Sequence, residues 1–236
     1  MIPLPIHYEE LETIYAASLG GDQNTVAVTS ADHGEGVSIV AYALARRAAA
    51  AGRRTLLVDL NTETSTVASR LGLEEMDWSP SDDSANDSII HLEGVSLSVL
   101  SAPKASANIL NARDDAKLKA AMMRWRDQFD CIVLDTSPLT RLNQNNILPD
   151  MAASVCDGAI FVVLAGRTPE TKVSEAVLRL RSAGANIVGA VINDRHNPGL
   201  ADELCRETRR LDRFAFRLME ACRTFFRTNA FLMQKI

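Results

Sequence analysis

The sequence contains no long hydrophobic run. Its longest apolar stretch, Ala159 to Ala165, falls far short of the ~20 residues a membrane-crossing helix needs. The first residues, MIPLPIHYEEL, show no basic region followed by an apolar segment, so no signal peptide is expected. Cysteine is sparse. Cys131, Cys156, Cys205 and Cys222 are scattered, none forms a CxxC pair, and two sit in apolar segments. A disulfide framework is thereby excluded, and reduced, structural thiols in a cytoplasmic protein are expected. His7, His33, His91 and His196 have no metal-ligand spacing, and no Ser/His/Asp arrangement surrounds His33, which reads as an exposed loop residue. Lysine is absent before Lys104, and no internal repeat is visible.

What remains is an ordinary globular composition. The 236 residues are 47% hydrophobic and 23% charged, which suits one large or two small domains and argues against a disordered chain or a fibre. The net charge of −5 is unevenly spread. From Arg209 onward there are seven basic and two acidic residues, a balance of +5, against −10 for residues 1–208. Five of the seven phenylalanines lie in the same C-terminal stretch: Phe214, Phe216, Phe225, Phe226 and Phe231. Such a split marks a contact surface. The acidic body makes nucleic acid a poor partner.

Short β-branched runs alternate with helical patterns. Strands are expected at Thr25–Thr29, Thr55–Asp59, Leu97–Leu100, Cys131–Asp135, Ala159–Leu164 and Ile187–Ile192. Several are apolar at successive residues, as in a parallel sheet covered on both faces. Helices are expected at Tyr8–Ser18, Ser38–Ala51, Thr66–Leu71, Ala116–Asp127, Glu170–Ala183 and from about Leu200 to Arg227. Gly52 and Gly184 stand where two of them should stop. The alternation predicts a doubly wound α/β fold with a mainly parallel sheet and helices on both faces. Residues 1–20 form an N-terminal helix, 21–200 the α/β domain and 201–236 a basic, aromatic helical segment. The polar stretch Asp77–Ser88 reads as a surface loop.

In the last helix, Leu211, Phe214, Ala215, Leu218, Met219, Cys222, Phe225 and Phe226 fall on one stripe at about 100° per residue. Arg209, Arg210, Arg213, Arg217 and Arg227 lie opposite. The stripe either docks on the sheet or meets a partner or membrane, and Phe231-Leu-Met233 adds apolar surface beyond it.

The first strand runs into Thr29-Ser-Ala-Asp-His-Gly-Glu-Gly-Val-Ser38 and then a helix. Strand, glycine-bearing loop and helix N-terminus together make a phosphate cradle. In a working loop a lysine before Ser/Thr reaches the β- and γ-phosphates and the hydroxyl binds Mg²⁺. Gly34, Gly36 and Ser38 fit that pattern, but Val37 holds the lysine position and Ala31 that of the first glycine. Without a ligand, Gly34 and Gly36 make a tight turn, Ser38 begins the helix, and Asp59 and Asp135 bond to loops at strand ends.

Taken in order, this loop, Leu56-Leu-Val-Asp59, Phe129-Asp-Cys-Ile-Val-Leu-Asp135, Asp157-Gly-Ala-Ile-Phe-Val-Val163 and Gly189-Ala-Val-Ile-Asn193 resemble the MinD/ParA class of deviant P-loop ATPases. The loop itself is similar to TSxxPGEGKS in the bacterial tyrosine kinases of capsule and exopolysaccharide export. The resemblance covers residues 6 to 195. It implies a nucleotide site at Gly34, Glu35, Gly36, Val37, Ser38 and Asn193, with Mg²⁺ at Ser38, Asp59 and Asp135. It also marks departures. Val37 replaces the phosphate lysine, Asp32 stands at the class's signature lysine, Asn61 replaces the second aspartate of DxD, and Ser137 the first proline of DTPP. Ile6-His-Tyr-Glu-Glu-Leu-Glu-Thr13 resembles the EAFRELRT segment through which these kinases pack into rings, with both arginines now Glu9 and Glu12. The family's C-terminal tyrosine cluster is absent, since Tyr8, Tyr15 and Tyr42 are the only tyrosines.

The expectation is therefore a pseudo-kinase in which Asp59 and Asp135 are vestigial. No resident cofactor is expected; a site that still functions takes Mg-ATP or Mg-ADP. The partner implied is an inner-membrane polysaccharide co-polymerase or chain-length regulator, with residues 209–236 on the membrane surface and a homodimer as a further association. Two alternatives stand beside it. One is a weak ATPase or tyrosine kinase using Arg195 in place of the lysine, the other a MinD/ParA-like positioning protein.

Overall fold

The computed structural model describes residues 4–62, 67–140, 146–195, 204, 205, 207–209 and 212–229. The chain divides into two compact units, Met1–Asn193 and Asp194–Ile236. The first is built on a seven-stranded sheet. Its strands are β1 (Thr25–Ser30), β2 (Thr55–Asp59), β3 (Ile90–His91), β4 (Leu97–Leu100), β5 (Cys131–Asp135), β6 (Gly158–Leu164) and β7 (Ile187–Asn193). They lie in the order β3-β4-β2-β5-β1-β6-β7, and only the β3–β4 pair is antiparallel. Strand order reverses at β1, so the crevice beyond its C-terminal end is where such sheets bind ligands.

Every residue of β1, β2, β4 and β5 is buried. Successive side chains point to opposite faces, so β5 sends Ile132 and Leu134 into one apolar cluster and Cys131 and Val133 into the other. The helices of the first unit are α1 (Glu9–Leu19), α2 (Val37–Ala50), α3 (Val67–Arg70), α4 (Ser84–Asp87), α5 (Ser106–Ala112), α6 (Asp115–Gln128), α7 (Pro149–Ser154) and α8 (Glu170–Ser182). α1 and α2 supply Leu11, Leu19, Val40 and Leu44 to one cluster, while α6 and α8 supply Leu118, Trp125 and Leu180 to the other. Gly52 and Gly184 take positive φ just after α2 and α8, as expected of helix-stopping glycines. α1 is tied to α2 by a two-pronged ion pair: Arg47 Nε and Nη2 donate to Glu12 at 2.5 and 2.7 Å. The same guanidinium lies over Tyr15, 4.6 Å from the ring centroid.

In the first unit the expected strands and long helices are present, with ends shifted by a residue or so. The stretch Asp77–Ser88 differs from its expected form. It contains α4, and Trp78, Ser79, Ala85 and Ser88 are buried. Trp78 packs edge-on against Trp125 at 5.8 Å and donates its indole N–H to the Ser101 carbonyl at 2.6 Å. One aromatic anchor makes a polar segment part of the core, which hydropathy averaging cannot register.

In the second unit, residues 204, 205 and 207–209 and α9 (Asp212–Thr228) are helical. Phe225 is exposed and stacks edge-on with Phe226 at 6.1 Å. The rest of the expected stripe, from Leu211 to Leu218, and the opposing Arg213, Arg217 and Arg227 have no described side chains; Leu200, Arg210 and Phe231–Met233 lie outside the described residues. Among the described residues no helix is long and apolar enough to cross a membrane.

Replacing Trp78 by alanine removes a fully buried indole together with its hydrogen bond. We expect a loss of about 3–5 kcal/mol in urea unfolding, with the ring signal of the Trp78–Trp125 pair lost from near-ultraviolet circular dichroism. An effect within the range of surface substitutions would show the segment to be peripheral.

Candidate functional site

The turn between β1 and α2 is shaped by two glycines of positive φ, Gly34 at 75° and Gly36 at 103°. At Gly36 a Cβ would also stand 2.7 Å from Asn193 Nδ2, so both backbone and space require glycine. Asn193, at the end of β7, donates that amide to the Glu35 carbonyl at 2.8 Å, fastening the loop to the neighbouring strand end. No hydrogen bond runs from the backbone N–H of Gly34, Glu35, Gly36, Val37 or Ser38 to another described residue. These successive donors, capped by the start of α2, are the nest-and-helix arrangement that attracts an anion.

Glu35 is itself buried, and its carboxylate turns back into the loop. It accepts from the N–H of Ala31 at 3.0 Å and of Asp32 at 3.2 Å, and from the Thr168 hydroxyl. Val37 packs into the apolar cluster beneath α2. Ser38 follows in the first turn of that helix.

Asp59 and Asp135 stand opposite one another in the β2–β5 register, both completely buried. Asp59 accepts from the N–H of Asn61 at 2.9 Å and of Val67 at 2.7 Å. Burial nevertheless pushes its carboxyl up to about 6. Asp135 is raised well above the usual carboxylate range by burial and by the charge of Asp59, with the nearby Ser38 hydroxyl opposing. Among the described residues, neither oxygen of Asp135 has a hydrogen-bond partner within bonding distance. A buried carboxylate left in this state is an open position for a cation. Among the described residues no group of three or more His, Cys, Asp or Glu could hold a metal alone. Magnesium characteristically takes few protein ligands and completes its shell with water and phosphate, so Ser38 and Asp135 suit it.

The structure brings all the sequence-predicted residues, Gly34, Glu35, Gly36, Val37, Ser38, Asp59, Asp135 and Asn193, to the C-terminal edge of the sheet around β1. It adds two that sequence reading missed. Thr168 meets Glu35, and Lys172, in the first turn of α8, pairs with Asp32 at 2.5 Å. A signal was available: in a parallel sheet the loop after β6 must open at the same edge as the loop after β1. Arg195, considered above as a lysine substitute, lies in the second unit.

The chain is 28% identical over 181 residues to the tyrosine-protein kinase CpsD of Streptococcus agalactiae, covering 74% of this chain and 76% of CpsD. It is 25% identical over 201 residues to the tyrosine-protein kinase YwqD of Bacillus subtilis, covering 82% and 83%. Its homologues are bacterial tyrosine kinases. A further similarity, 29% over 193 residues, is to the succinoglycan biosynthesis transport protein ExoP of Rhizobium meliloti, of which it spans 22%. No family model matches the chain. Among solved structures, the chimerical protein CapA2B2 superposes with a TM-score of 0.67 at 21% identity, over 78% of this chain and 83% of that one. MinD of Pyrococcus horikoshii, solved with Mg-ADP, superposes at 0.60 and 19% identity, over 74% and 72%. Both share the fold. Asp135 and the loop N–H groups, without partners among the described residues, fit a magnesium nucleotide as well; the apolar Val37 does not supply the cation expected beside the outer phosphates.

The buried pair makes stability depend on pH with a definite sign. Each carboxyl holds its proton more tightly folded than unfolded. The cost of burying its charge is absent below the ordinary carboxylate pKa, grows as pH rises through the folded value, and is complete above it. Asp135→Asn should therefore raise the melting temperature at pH 8 by several degrees in EDTA, with the gain fading toward pH 4. Equal gains at both pH values would show that folding does not raise the Asp135 carboxyl above its unfolded value.

Proposed function

We propose that this chain is a pseudo-kinase of a bacterial capsule or exopolysaccharide system. It acts by binding a membrane-embedded co-polymerase or chain-length regulator at the cytoplasmic face of the inner membrane, and it transfers no phosphoryl group. The observation that carries this reading is Val37: at the position of the phosphate lysine, a valine is committed to the apolar cluster under α2 while the glycine turn around it is kept. Losing a charged contact to the transferring phosphate costs a few kcal/mol, hence several orders of magnitude in turnover. The similarity to CpsD, YwqD and ExoP supports the polysaccharide setting. Within the 236 residues the tyrosines are Tyr8, Tyr15 and Tyr42, so no tyrosine cluster of the kind the resemblance implies lies in this sequence.

The retained half of the site gives a bound Mg-nucleotide a role in shape rather than chemistry. Gly34 to Ser38 would hold its phosphates, Ser38 and Asp135 its magnesium, and Asp59 would position the loop after β2. Bound there, the group supplies charge neutralisation to Asp135. The basic, phenylalanine-rich segment from Arg209 to Ile236 is the surface proposed to meet the partner or the anionic membrane face, where each basic residue adds about 1 kcal/mol.

Pure protein is expected to show no ATP hydrolysis and no tyrosine autophosphorylation. Robust turnover abolished by Asp59→Ala would overturn the pseudo-kinase reading. Separately, replacing Phe231, Leu232 and Met233 by serine should leave the melting temperature nearly unchanged and weaken co-sedimentation with acidic liposomes or with the co-polymerase. A fall of several kcal/mol in stability with association untouched would make that segment core instead of contact surface.

A further inference from the structure

The cradle lacks its lysine, yet a lysine stands at its rim. The chain has five lysines, Lys104, Lys117, Lys119, Lys172 and Lys235. Lys172 reaches the loop from the element that follows β6, the strand paired with β1. Its ammonium pairs with the Asp32 carboxylate at 2.5 Å, with the lysine side chain 40% and the aspartate 24% exposed. Asp32 also accepts from the N–H of His33 at 2.9 Å, so the carboxylate is fixed to the loop backbone. Thr168, four residues before Lys172, bonds to the loop's Glu35. The turn after β6 is thereby fastened to the cradle at two points, and the first turn of α8 is held over its edge.

We propose that Lys172 replaces the missing loop lysine: when a magnesium nucleoside diphosphate enters the cradle, its ammonium leaves Asp32 for the terminal phosphate. This rests on the reading of the loop as a retained nucleotide site. A half-exposed ion pair contributes little to stability, and a multiply charged phosphate held by backbone N–H groups is a stronger acceptor than one carboxylate. Asp32 then has two opposed effects. It keeps the lysine ordered at the rim, and its charge repels the phosphates that the lysine attracts. The relocated cation comes from a helix outside the loop, so ligand binding pulls on α8, and the site can report nucleotide to the surface of that helix without turnover.

The two partners of the pair make the test. The full chain is titrated with Mg-ADP by calorimetry as wild type, Lys172→Ala, Lys172→Arg and Asp32→Asn, with unliganded melting temperatures recorded for each. Both Lys172→Ala and Asp32→Asn break the same ion pair, so a purely structural pair predicts like changes in both. The expected result is opposite: Lys172→Ala weakens Mg-ADP by about ten- to a hundredfold, Lys172→Arg retains most of the affinity, and Asp32→Asn tightens it severalfold. Binding by wild type that Lys172→Ala leaves unchanged, or a shift of both variants in the same direction, overturns the assignment of Lys172 while leaving the pseudo-kinase reading intact. Absence of Mg-ADP binding by wild type overturns the retained site and this inference together. Phosphoryl transfer lost in Asp59→Ala would instead remove the pseudo-kinase reading and leave the calorimetric result for Lys172 standing.

Discussion

Two carboxylates removed from water at adjacent strand ends set the conditions for everything around them. The β2–β5 register puts Asp59 opposite Asp135 and the packing on both faces excludes solvent. Like charges so placed oppose each other's ionisation, and burial penalises both. Asp59 is compensated by two backbone N–H groups donated from the loop after β2. Asp135 receives no such bond. The asymmetry divides the labour: one aspartate organises protein, and the other is available to a cation. A core optimised only for stability would hold neither group.

The phosphate loop keeps its shape by an internal device. Glu35 satisfies the N–H groups of Ala31 and Asp32 with its own carboxylate and takes a third bond from Thr168, while Asn193 holds its carbonyl. The glycines supply the positive φ that the path demands. None of these contacts involves position 37. The loop's conformation is therefore independent of the residue that does the chemistry in a working kinase. That independence explains how valine can occupy the position without collapse of the turn.

Sequence periodicity made the sheet legible because its central strands are buried on both faces: Leu56-Leu-Val58, Ile132-Val-Leu134 and Ile160-Phe-Val-Val-Leu164 are continuous apolar runs. The eight candidate residues were picked out through the resemblance in motif order, and the fold brings them to one edge of the sheet. Two kinds of feature were not legible. Trp78 carries a polar segment into the core by one side chain and one hydrogen bond, which no window average detects. Lys172 and Asp32 are 140 residues apart, and only the parallel topology brings β6's following helix to the loop of β1. Long-range ion pairs leave no local trace, and the absence of lysine before Lys104 correctly described the loop while missing the cation beside it.

The N-terminal helix shows how a substitution of charge redirects an interface. The resemblance to ring-forming kinases places arginines where this chain has Glu9 and Glu12. Glu12 is engaged with Arg47 of α2, whose guanidinium holds its carboxyl below the usual range and also covers Tyr15. A side chain occupied within its own subunit is not available to a neighbour, and the exposed Glu9 and Glu10 of the first turn repel a second copy of themselves. Association through this surface would have to break the Glu12–Arg47 pair and bring like charges together. The sign of charge that favours acidic partners is found instead after residue 208, together with most of the phenylalanines. Under the function proposed above, the start of the chain is thereby the poorer contact surface and the basic, phenylalanine-rich end the better one.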